Sequence, residues 1–519
     1  MELEYVKELC KKLKPVIGNK ADALFLSYLT EDYEGKKEIL DLLEILAVKK
    51  LNQGISQDEI LLTPPNRETC KGDYQIGSVL YNNNELYPFF LREDEMIQHV
   101  GIFGRSGSGK TNIGFLLVRE LIKQNKPFLI FDWKRNYRNL DENILIFTPG
   151  REVVRFSFNP LIPPKGTLAT VWLKKLIEII AHSYFLGEGV MYLLQKAIHS
   201  TYKNFGIYSG KKEYPTMHHI LEYLENYKAR GRELLWMASA LRAISSLCYG
   251  EMGKLLNTKD NILEDLLNKN VILELDSLTN TDKIFLIESI LLWIHHYRLG
   301  QEKSKFKHAI LIEEAHHILL RQKQELKGSE AITDIILREI RELGECIILI
   351  DQHPSLISIP ALGNTCCTIA MNLKHRNDVD TIADSILIDY KKKDYIGQLK
   401  TGEAIVKLQS RHLLPFLIRV PLIKEEHFIS DFEIKRRMNS FSGYSTLNHA
   451  KEENPEFFQV FSDKDIEENE KRLLNDIAER PNSSISARYK TLGMSSRLGN
   501  LCKNNLLKQG LITIKELVT

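Results

Sequence analysis

The sequence lacks an apolar run long enough to span a bilayer, and its amino terminus is charged from Glu2 onward. A signal peptide needs an apolar core near the amino terminus, so this beginning argues against one. The seven cysteines are scattered, and no Cys-x-x-Cys pair occurs among them, which argues against a zinc site and a disulfide framework. We therefore expect a reduced, cytoplasmic chain with no membrane partner.

An excess of charge of one sign is also absent, because the formal net charge at pH 7 is +2. Any affinity for nucleic acid must therefore come from local patches. What the chain does have is length and apolar content. Its 519 residues are 43% hydrophobic and 27% charged, which is typical of a globular protein with one large domain and appendages, or with two to three domains.

The hydrophobic pattern divides the chain into three regions. Residues 1–70 have helical periodicity and end near Thr63-Pro64-Pro65-Asn66. Residues 71–425 form the main domain, and residues 426–519 contain a linker around Lys451–Pro455 followed by a small last unit. We predict an N-terminal helical region, an α/β core and a C-terminal domain.

The main domain begins with two strands between Tyr74 and Leu91, around a turn at Asn82-Asn83-Asn84. Short apolar runs then alternate with helical patterns, which predicts a mainly parallel sheet covered on both faces. Residues 167–262 interrupt this order with a helical insertion. The six apolar runs are His99–Phe103, Phe128–Asp132, Ile144–Phe147, Val271–Leu275, Ala309–Ile312 and Ile347–Ile350.

A phosphate-binding loop is the sharpest motif, because Gly104-Arg105-Ser106-Gly107-Ser108-Gly109-Lys110-Thr111 matches G-x-x-x-x-G-K-[ST]. Glycines let backbone N–H groups surround triphosphate oxygens, and the following helix directs its positive end at them. Lys110 would contact the β- and γ-phosphates, and the Thr111 hydroxyl would hold Mg²⁺. The alternative is a glycine-rich turn without ligand. The predicted ATP-binding residues are Gly104, Ser106, Gly107, Ser108, Gly109, Lys110 and Thr111.

Acidic and amide side chains end two later strands. Ile310–Ile312 is followed by Glu313 and Glu314, and we predict that Glu313 holds the metal and Glu314 activates the attacking water. Gln352, after Ile347–Ile350, is the candidate sensor of the γ-phosphate. A solvated strand end and a turn-capping role are the respective alternatives.

Together, these motifs resemble the HerA/FtsK superfamily, most of all HerA, over about residues 74–423. The resemblance implies a RecA-like core, a hexameric ring, ATP hydrolysis between subunits, and duplex DNA in the central pore. Weaker similarities are Phe131-Asp132-Trp133-Lys134, Asn159-Pro160-Leu161 and Gly402-Glu403-Ala404-Ile405-Val406.

The resemblance also implies an arginine that reaches the γ-phosphate bound by the neighbouring subunit. Family members often carry Gly-Arg just before the sensor strand, where this chain has Gly344-Glu345. Arg341 and Arg338, on the helix before that position, are the substitutes, and Arg376 is a third choice. Plain surface charge is the alternative for each.

The N-terminal region departs from the family, whose members usually begin with a small β-barrel. A helical beginning favours a different partner, such as a nuclease or other effector acting in phage defence.

The last unit, residues 471–519, resembles a shortened winged helix that ends in a strand at Leu511–Ile514. Seven Lys and Arg residues against Glu516 give its part from Arg480 onward a charge of +6, which suits DNA phosphates. Protein docking is the alternative. The histidine pairs, including His316-His317, and the four tryptophans are interpreted as surface or core residues.

The sequence therefore predicts an ATP-hydrolysing hexamer that translocates along or unwinds double-stranded DNA with an effector partner. The alternative is an ATP-gated ring scaffold that assembles and regulates the effector without moving DNA.

Overall fold

The computed structural model describes residues 2–51, 62–302, 305–321, 331–423, 429–440, 463–481, 483, 485–494, 499, 502–503, 505–507 and 511–512. The chain divides into two compact units, Met1–Leu447 and Asn448–Thr519. None of the described helices is long and apolar enough to cross a membrane.

The first unit is built around one sheet, which has eleven strands within the described residues, in the order β2-β1-β11-β10-β9-β3-β8-β7-β4-β6-β5. The seven strands from β9 to β5 are parallel, and the other four extend the sheet in antiparallel fashion. This confirms the predicted α/β class with a mainly parallel sheet. The strands are β1 (Tyr74–Tyr81), β2 (Asn84–Leu91), β3 (Val100–Phe103), β4 (Phe128–Asp132), β5 (Leu145–Phe147), β6 (Asn270–Glu274), β7 (His308–Glu313), β8 (Glu345–Asp351), β9 (Cys367–Ala370), β10 (Glu403–Leu408) and β11 (Phe416–Arg419).

The central strands are buried along their whole length. Every residue of β3, β4, β7 and β8 is buried, which explains why these segments are continuous apolar runs and not alternating ones. The six predicted runs coincide with strands to within one or two residues at each end. Because the strands are short and parallel, their carboxyl ends meet at a single edge of the sheet.

Helices cover both faces of this sheet. Helix α5 follows β3 and packs on one face, while α6, α12, α13 and α14 lie on crossovers that run in the opposite direction along the sheet. Right-handed crossovers place that second group on the other face. The helices of the core are α4 (Glu93–Met96), α5 (Lys110–Lys123), α6 (Ala169–Tyr184), α7 (Glu188–Asn204), α8 (Met217–Asn226), α9 (Glu233–Cys248), α10 (Gly250–Leu256), α11 (Leu263–Leu266), α12 (Asn280–Leu299), α13 (Ile332–Ile340), α14 (Ile359–Gly363), α15 (Arg376–Ile386) and α16 (Asp431–Ser440). The six helices α6–α11 lie between β5 and β6; five of them fall within the predicted insertion, residues 167–262, and α11 follows it.

The N-terminal region is helical, as predicted. It consists of α1 (Glu2–Ile17), α2 (Lys20–Thr30) and α3 (Tyr33–Leu51), which share a small apolar core of their own. Tyr81 at the end of β1 joins this core, and its hydroxyl donates to the carbonyl of Lys12 at 2.7 Å. The three helices are therefore fixed to the β1–β2 hairpin, at the antiparallel end of the sheet.

That hairpin turns where the sequence predicted it. Asn82 and Asn83 have φ angles of 47° and 60°, the left-handed pair that a two-residue hairpin loop requires. Asparagine tolerates this conformation better than most residues, which explains the polar turn between two apolar strands.

Helix α16 lies within residues 426–519, which the sequence analysis assigned to the linker and the last unit and not to the main domain. Its first residue, Asp431, accepts hydrogen bonds from Arg138 and Arg151, each at 2.7 Å. Glu274 at the end of β6 binds the same two arginines and is fully buried. These charges fix α16 to the core, a contact that local sequence pattern does not show. The linker residues Lys451–Pro455 lie outside the described residues.

The second unit contains α17 (Asp463–Glu479) and α18 (Ile485–Leu492), packed around Leu473 and Tyr489. The strand predicted at Leu511–Ile514 is absent from its first two residues, which form a bend and irregular backbone, and its last two lie outside the described part. Arg488 is buried and ion-paired with Asp476 at 2.8 Å. Part of the predicted basic surface therefore stabilises the unit itself.

Candidate nucleotide site

The phosphate-binding loop connects β3 to α5. Gly107 and Gly109 have φ angles of 76° and 111°, in the region that side chains disfavour. A Cβ atom on Gly104 would lie only 2.7 Å from the Ser108 hydroxyl and 2.8 Å from Cβ of Met371. The glycines are therefore required by the backbone path and by close packing. The tip, Arg105–Gly107, is exposed.

Lys110 lies beneath this loop. Its ammonium donates to the carbonyl of Arg105 at 3.0 Å, so the side chain spans the concave side of the loop. Burial lowers the pKa of Lys110 to about 8, an effect that the carboxylates of Glu314 and Asp351 partly offset. Thr111 follows it in the first turn of α5 and is half-buried. Both residues lie where the motif predicted them.

The strand register brings the predicted acids to the same edge. Phe103, which precedes the loop, lies opposite Asp351 of β8. Glu313 of β7 lies opposite Ile350 of β8, and Phe131 of β4 lies opposite Ile312 of β7. The ends of four neighbouring strands therefore converge, and the functional side chains come from widely separated segments of the chain.

Glu313 is buried beside Asp132. Its carboxylate accepts long hydrogen bonds from the Trp133 N–H at 3.4 Å and the Asn136 side-chain amide at 3.5 Å. Burial, and then the Asp132 charge, raise the pKa of Glu313. A buried carboxylate with long hydrogen bonds, such as that of Glu313, fits a divalent cation, since oxygen atoms are its preferred ligands. Glu313, with the Thr111 hydroxyl, would hold Mg²⁺ here.

Glu314 faces the predicted sensor. Its Oε1 atom accepts a hydrogen bond from the Gln352 side-chain amide at 2.8 Å, and the Lys134 ammonium lies 2.6 Å from the same oxygen. Glu314 has a φ angle of 49°, a left-handed conformation that is uncommon outside glycine and that turns the chain away from β7. This geometry places the two predicted residues in direct contact. Their roles in hydrolysis stay predictions.

Lys134 was noted in the sequence only as part of a motif, and the structure gives it a partner. Asp132 accepts hydrogen bonds from the N–H groups of Lys134 and Tyr137, at 2.9 and 3.0 Å, which fixes the turn after β4. The Trp133 ring stacks on His317, with centroids 4.8 Å apart. A short, braced turn therefore carries Lys134 to Glu314.

His316 also belongs to the site. Its N–H and its Nδ1 atom lie 2.7 and 2.9 Å from the same oxygen of Asp351. Ligand atoms of Glu314, His316 and Asp351 lie within 4.8 Å of one another. The sequence analysis interpreted the pair His316-His317 as surface or core residues; His316 is buried, and strand pairing supplies its partner Asp351, a contact that sequence spacing does not show. His316 therefore holds the turn that follows β7 against the end of β8.

Two of the predicted arginines, Arg338 and Arg341, lie at the opposite edge of the sheet, where the parallel strands begin. Arg338 is exposed at the end of α13 and Arg341 is half-buried just after it, both before β8 begins. His99 at the start of β3 contacts the carbonyl of Leu337 at 2.7 Å. His99 and Gly104 bracket β3, so they lie roughly 16 Å apart. Neither arginine therefore reaches the loop of its own chain. Arg376, the third choice, is exposed at the start of α15.

The family model of the helicase HerA central domain matches residues 74–352, more than half of the chain. The chain belongs to the HerA family. HerA-family membership makes the chain an ATPase, and it confirms the resemblance seen in the motifs.

Similar proteins agree with this assignment to HerA. The DNA double-strand break repair helicase HerA of Sulfolobus acidocaldarius is 21% identical over 378 residues, 67% of this chain and 69% of the relative. VirB4 of Thermoanaerobacter pseudethanolicus has a TM-score of 0.53 at 14% identity, over 68% of this chain and 97% of VirB4. The conjugative coupling protein TrwB has a TM-score of 0.54 at 12% identity, over 73% of this chain and 97% of TrwB. The two structural likenesses show the shared RecA-like fold.

Proposed function

We propose that this HerA-family chain is an ATP-driven motor that forms a hexameric ring and translocates along, or unwinds, double-stranded DNA. The observation that carries the proposal is the contact of Glu314 with Gln352 and Lys134 at the strand ends beside the phosphate-binding loop. The relative from Sulfolobus is named a double-strand break repair helicase, which supports DNA as the substrate.

The chemistry is phosphoryl transfer to water. Backbone N–H groups of Gly104–Thr111 bind the phosphates, and Lys110 stabilises charge on the β- and γ-phosphates. Mg²⁺ supplies charge neutralisation when it is held by Thr111 and Glu313, and a TrwB structure contains ADP with Mg²⁺. Glu314 orients and polarises the attacking water, and Gln352 reports the loss of the γ-phosphate.

The arginines complete the site from a neighbouring subunit. Arg341 and Arg338 lie at the edge opposite their own loop, so they serve the loop of the next subunit in the ring. Their positive charge stabilises the transferred phosphoryl group, and hydrolysis becomes coupled to relative movement of the subunits.

A protein partner is part of the proposal. The three N-terminal helices carry exposed apolar residues, including Leu26, Ile45 and Val48, at 62, 62 and 58% exposure. Such a surface suits a protein partner, and a nuclease or other effector of phage defence is the partner we propose. The same observation favours the second candidate function, an ATP-gated ring that assembles and regulates the effector without moving DNA.

Steady-state ATP hydrolysis, with and without duplex DNA, tests the motor. We expect DNA to stimulate hydrolysis, and Lys110→Ala to abolish it under both conditions. Hydrolysis that is indifferent to DNA, yet lost in Lys110→Ala, would contradict the motor and favour the scaffold.

A further inference from the structure

The order of strands determines on which side of the loop the γ-phosphate and the base of a nucleotide would lie. Gln352 and Glu314 follow β8 and β7, which lie on one side of β3, so the γ-phosphate lies on that side of the loop. Strands β9, β10 and β11 lie on the opposite side of β3. A triphosphate that spans the loop therefore directs its ribose and base toward β9–β11.

On this second side, the turn before β10 packs against the loop, and the chain that follows β11 packs against that turn. Gly402, just before β10, donates its N–H to the Ser108 carbonyl at 3.3 Å. Val420, just after β11, donates its N–H to the Gly402 carbonyl at 2.8 Å. The residues that continue from Val420 therefore leave the sheet beside the phosphate-binding loop.

Asn112 fixes this continuation. It directly follows Thr111, and its side-chain amide donates to the Pro421 carbonyl at 2.8 Å while its side-chain oxygen accepts the Ile423 N–H at 2.8 Å. Both polar atoms of one side chain hold the backbone on either side of Leu422. The position of Leu422 is thus tied to the first turn of α5, whose amino end faces the phosphates.

Leu422 itself makes little contact with the protein. Its side chain is 78% exposed, although its backbone is fixed on both sides. Because the backbone of Leu422 is already fixed, a ligand that covers its side chain costs little conformational entropy. The contact also removes apolar surface from water, which favours binding. An exposed apolar side chain on a fixed backbone beside a nucleotide loop is suited to cover a flat aromatic ring.

We propose that Leu422, held by Asn112, forms the subsite for the nucleotide base. The inference rests on the proposed function, because it requires a nucleoside triphosphate in the loop. Apolar contact increases with ring area, so the subsite favours purines over pyrimidines. It does not separate adenine from guanine, since Leu422 offers no hydrogen-bonding side chain.

Equilibrium binding of ATP, GTP, UTP and inorganic tripolyphosphate by the full chain with Mg²⁺ tests this. We expect wild-type protein to bind ATP and GTP more tightly than UTP. Leu422→Ala should weaken ATP and GTP binding about tenfold, as expected for loss of much of one apolar side-chain contact, and leave tripolyphosphate binding unchanged. Asn112→Ala removes the two hydrogen bonds that hold Pro421–Ile423. It should likewise weaken ATP and GTP binding and leave tripolyphosphate binding unchanged.

Leu413→Ala is the matched control, because Leu413 is 61% exposed on the connection between β10 and β11 at the other edge of the sheet. It should bind all four ligands as wild-type protein does. Unchanged ATP binding by Leu422→Ala would overturn the base subsite. So would an altered oligomeric state with purine preference intact, since Leu422 would then contact a neighbouring copy.

The outcome also separates this inference from the proposed function. If ATP binds to Lys110→Ala as well as to wild-type protein, nucleotide does not use the loop and both proposals fail. If Lys110→Ala loses ATP while Leu422→Ala keeps it, only the base subsite fails.

Discussion

The carboxyl and amino ends of the parallel strands form two edges of the central sheet, and the charged residues at these edges differ in their surroundings. At the carboxyl edge, the charges of Glu313 and Glu314 act on Lys110, and Glu314 also contacts Lys134 at 2.6 Å. At the amino edge, Arg338 and Arg341 occupy the end of α13, with no phosphate loop beside them. In the proposed ring, the loop and acids of one chain would meet Arg338 and Arg341 of the next. Hydrolysis would then take place between subunits.

A buried histidine fixes the amino edge. His99 accepts the Ile347 N–H at 3.0 Å and contacts the Leu337 carbonyl at 2.7 Å, so it connects β3, β8 and α13. Burial, which the Leu337 hydrogen bond opposes and the nearby Arg341 charge reinforces, lowers the pKa of His99 to about 4. The carboxyl edge is therefore organised by charge pairs, whereas the amino edge combines the neutral His99 with a buried ion pair of Arg298 and Glu345 at 2.6 Å.

Removing both arginines should have the largest effect. We expect Arg338→Ala/Arg341→Ala to lose roughly a thousandfold in kcat, the range known for arginine fingers, while nucleotide binding is retained. Steady-state hydrolysis and equilibrium ATP binding measure the two properties. A mixture with Glu314→Gln protein should regain activity, because some interfaces then combine an intact acid with intact arginines.

Arg376→Ala is the control for this prediction, and it should hydrolyse ATP normally. Loss of activity in Arg376→Ala, with activity kept in the double variant, would instead assign the role in trans to Arg376. A mixture that stays inactive would contradict action between subunits.

Glu314→Gln should lower kcat about a hundredfold or more, the usual contribution of a positioned general base, with ATP still bound. The amide keeps the shape of the side chain but cannot accept a proton from water. Single-turnover hydrolysis distinguishes this chemical defect from slow product release. Activity within a few-fold of wild type would exclude Glu314 as the group that activates water.

Lys134→Met should lower kcat about tenfold, because Glu314 would lose one of the two groups that fix its carboxylate. The affinity for ATP should stay within about a factor of two of wild type, since the phosphates bind the loop Gly104–Thr111 and not Lys134. Lys165→Met is the control, because it breaks a comparable pair, Lys165–Glu264 at 2.9 Å, on the surface. Equal effects of both variants would make Lys134 an ordinary surface lysine.

His99→Gln should change the pH dependence of stability. The pKa of His99 is near 4 when folded and near 6.5 when exposed, so the unfolded chain takes up the proton. Its contribution is complete above pH 6.5 and is lost as pH falls toward 4, about 2 kcal/mol between pH 7 and pH 5. Urea unfolding of the variant should show a shallower loss of stability.

The exposed His375→Gln variant serves as the reference and should follow the wild-type pH profile. Parallel profiles for His99→Gln and wild-type protein would mean that His99 is not the group that titrates.

The sequence by itself determined the features of this protein that are formed by residues close together in the chain. The loop Gly104–Thr111, the acids Glu313 and Glu314, and the buried strands are contiguous patterns, and their chemistry follows from residue type and spacing. The helical beginning and the mainly parallel sheet were predictable for the same reason, since hydrophobic period reflects which faces of an element are buried.

Only the tertiary structure decided which distant residues meet. Lys134 and Glu314 are 180 residues apart, His99 and Leu337 are 238 apart, and Asn112 and Pro421 are 309 apart. Such pairs depend on strand order and on the face of the sheet that each helix covers. Neither property can be predicted from a local sequence pattern. Strand order therefore determined that the acids lie with the loop, that the arginines lie at the opposite edge, and that Leu422 lies beside the loop.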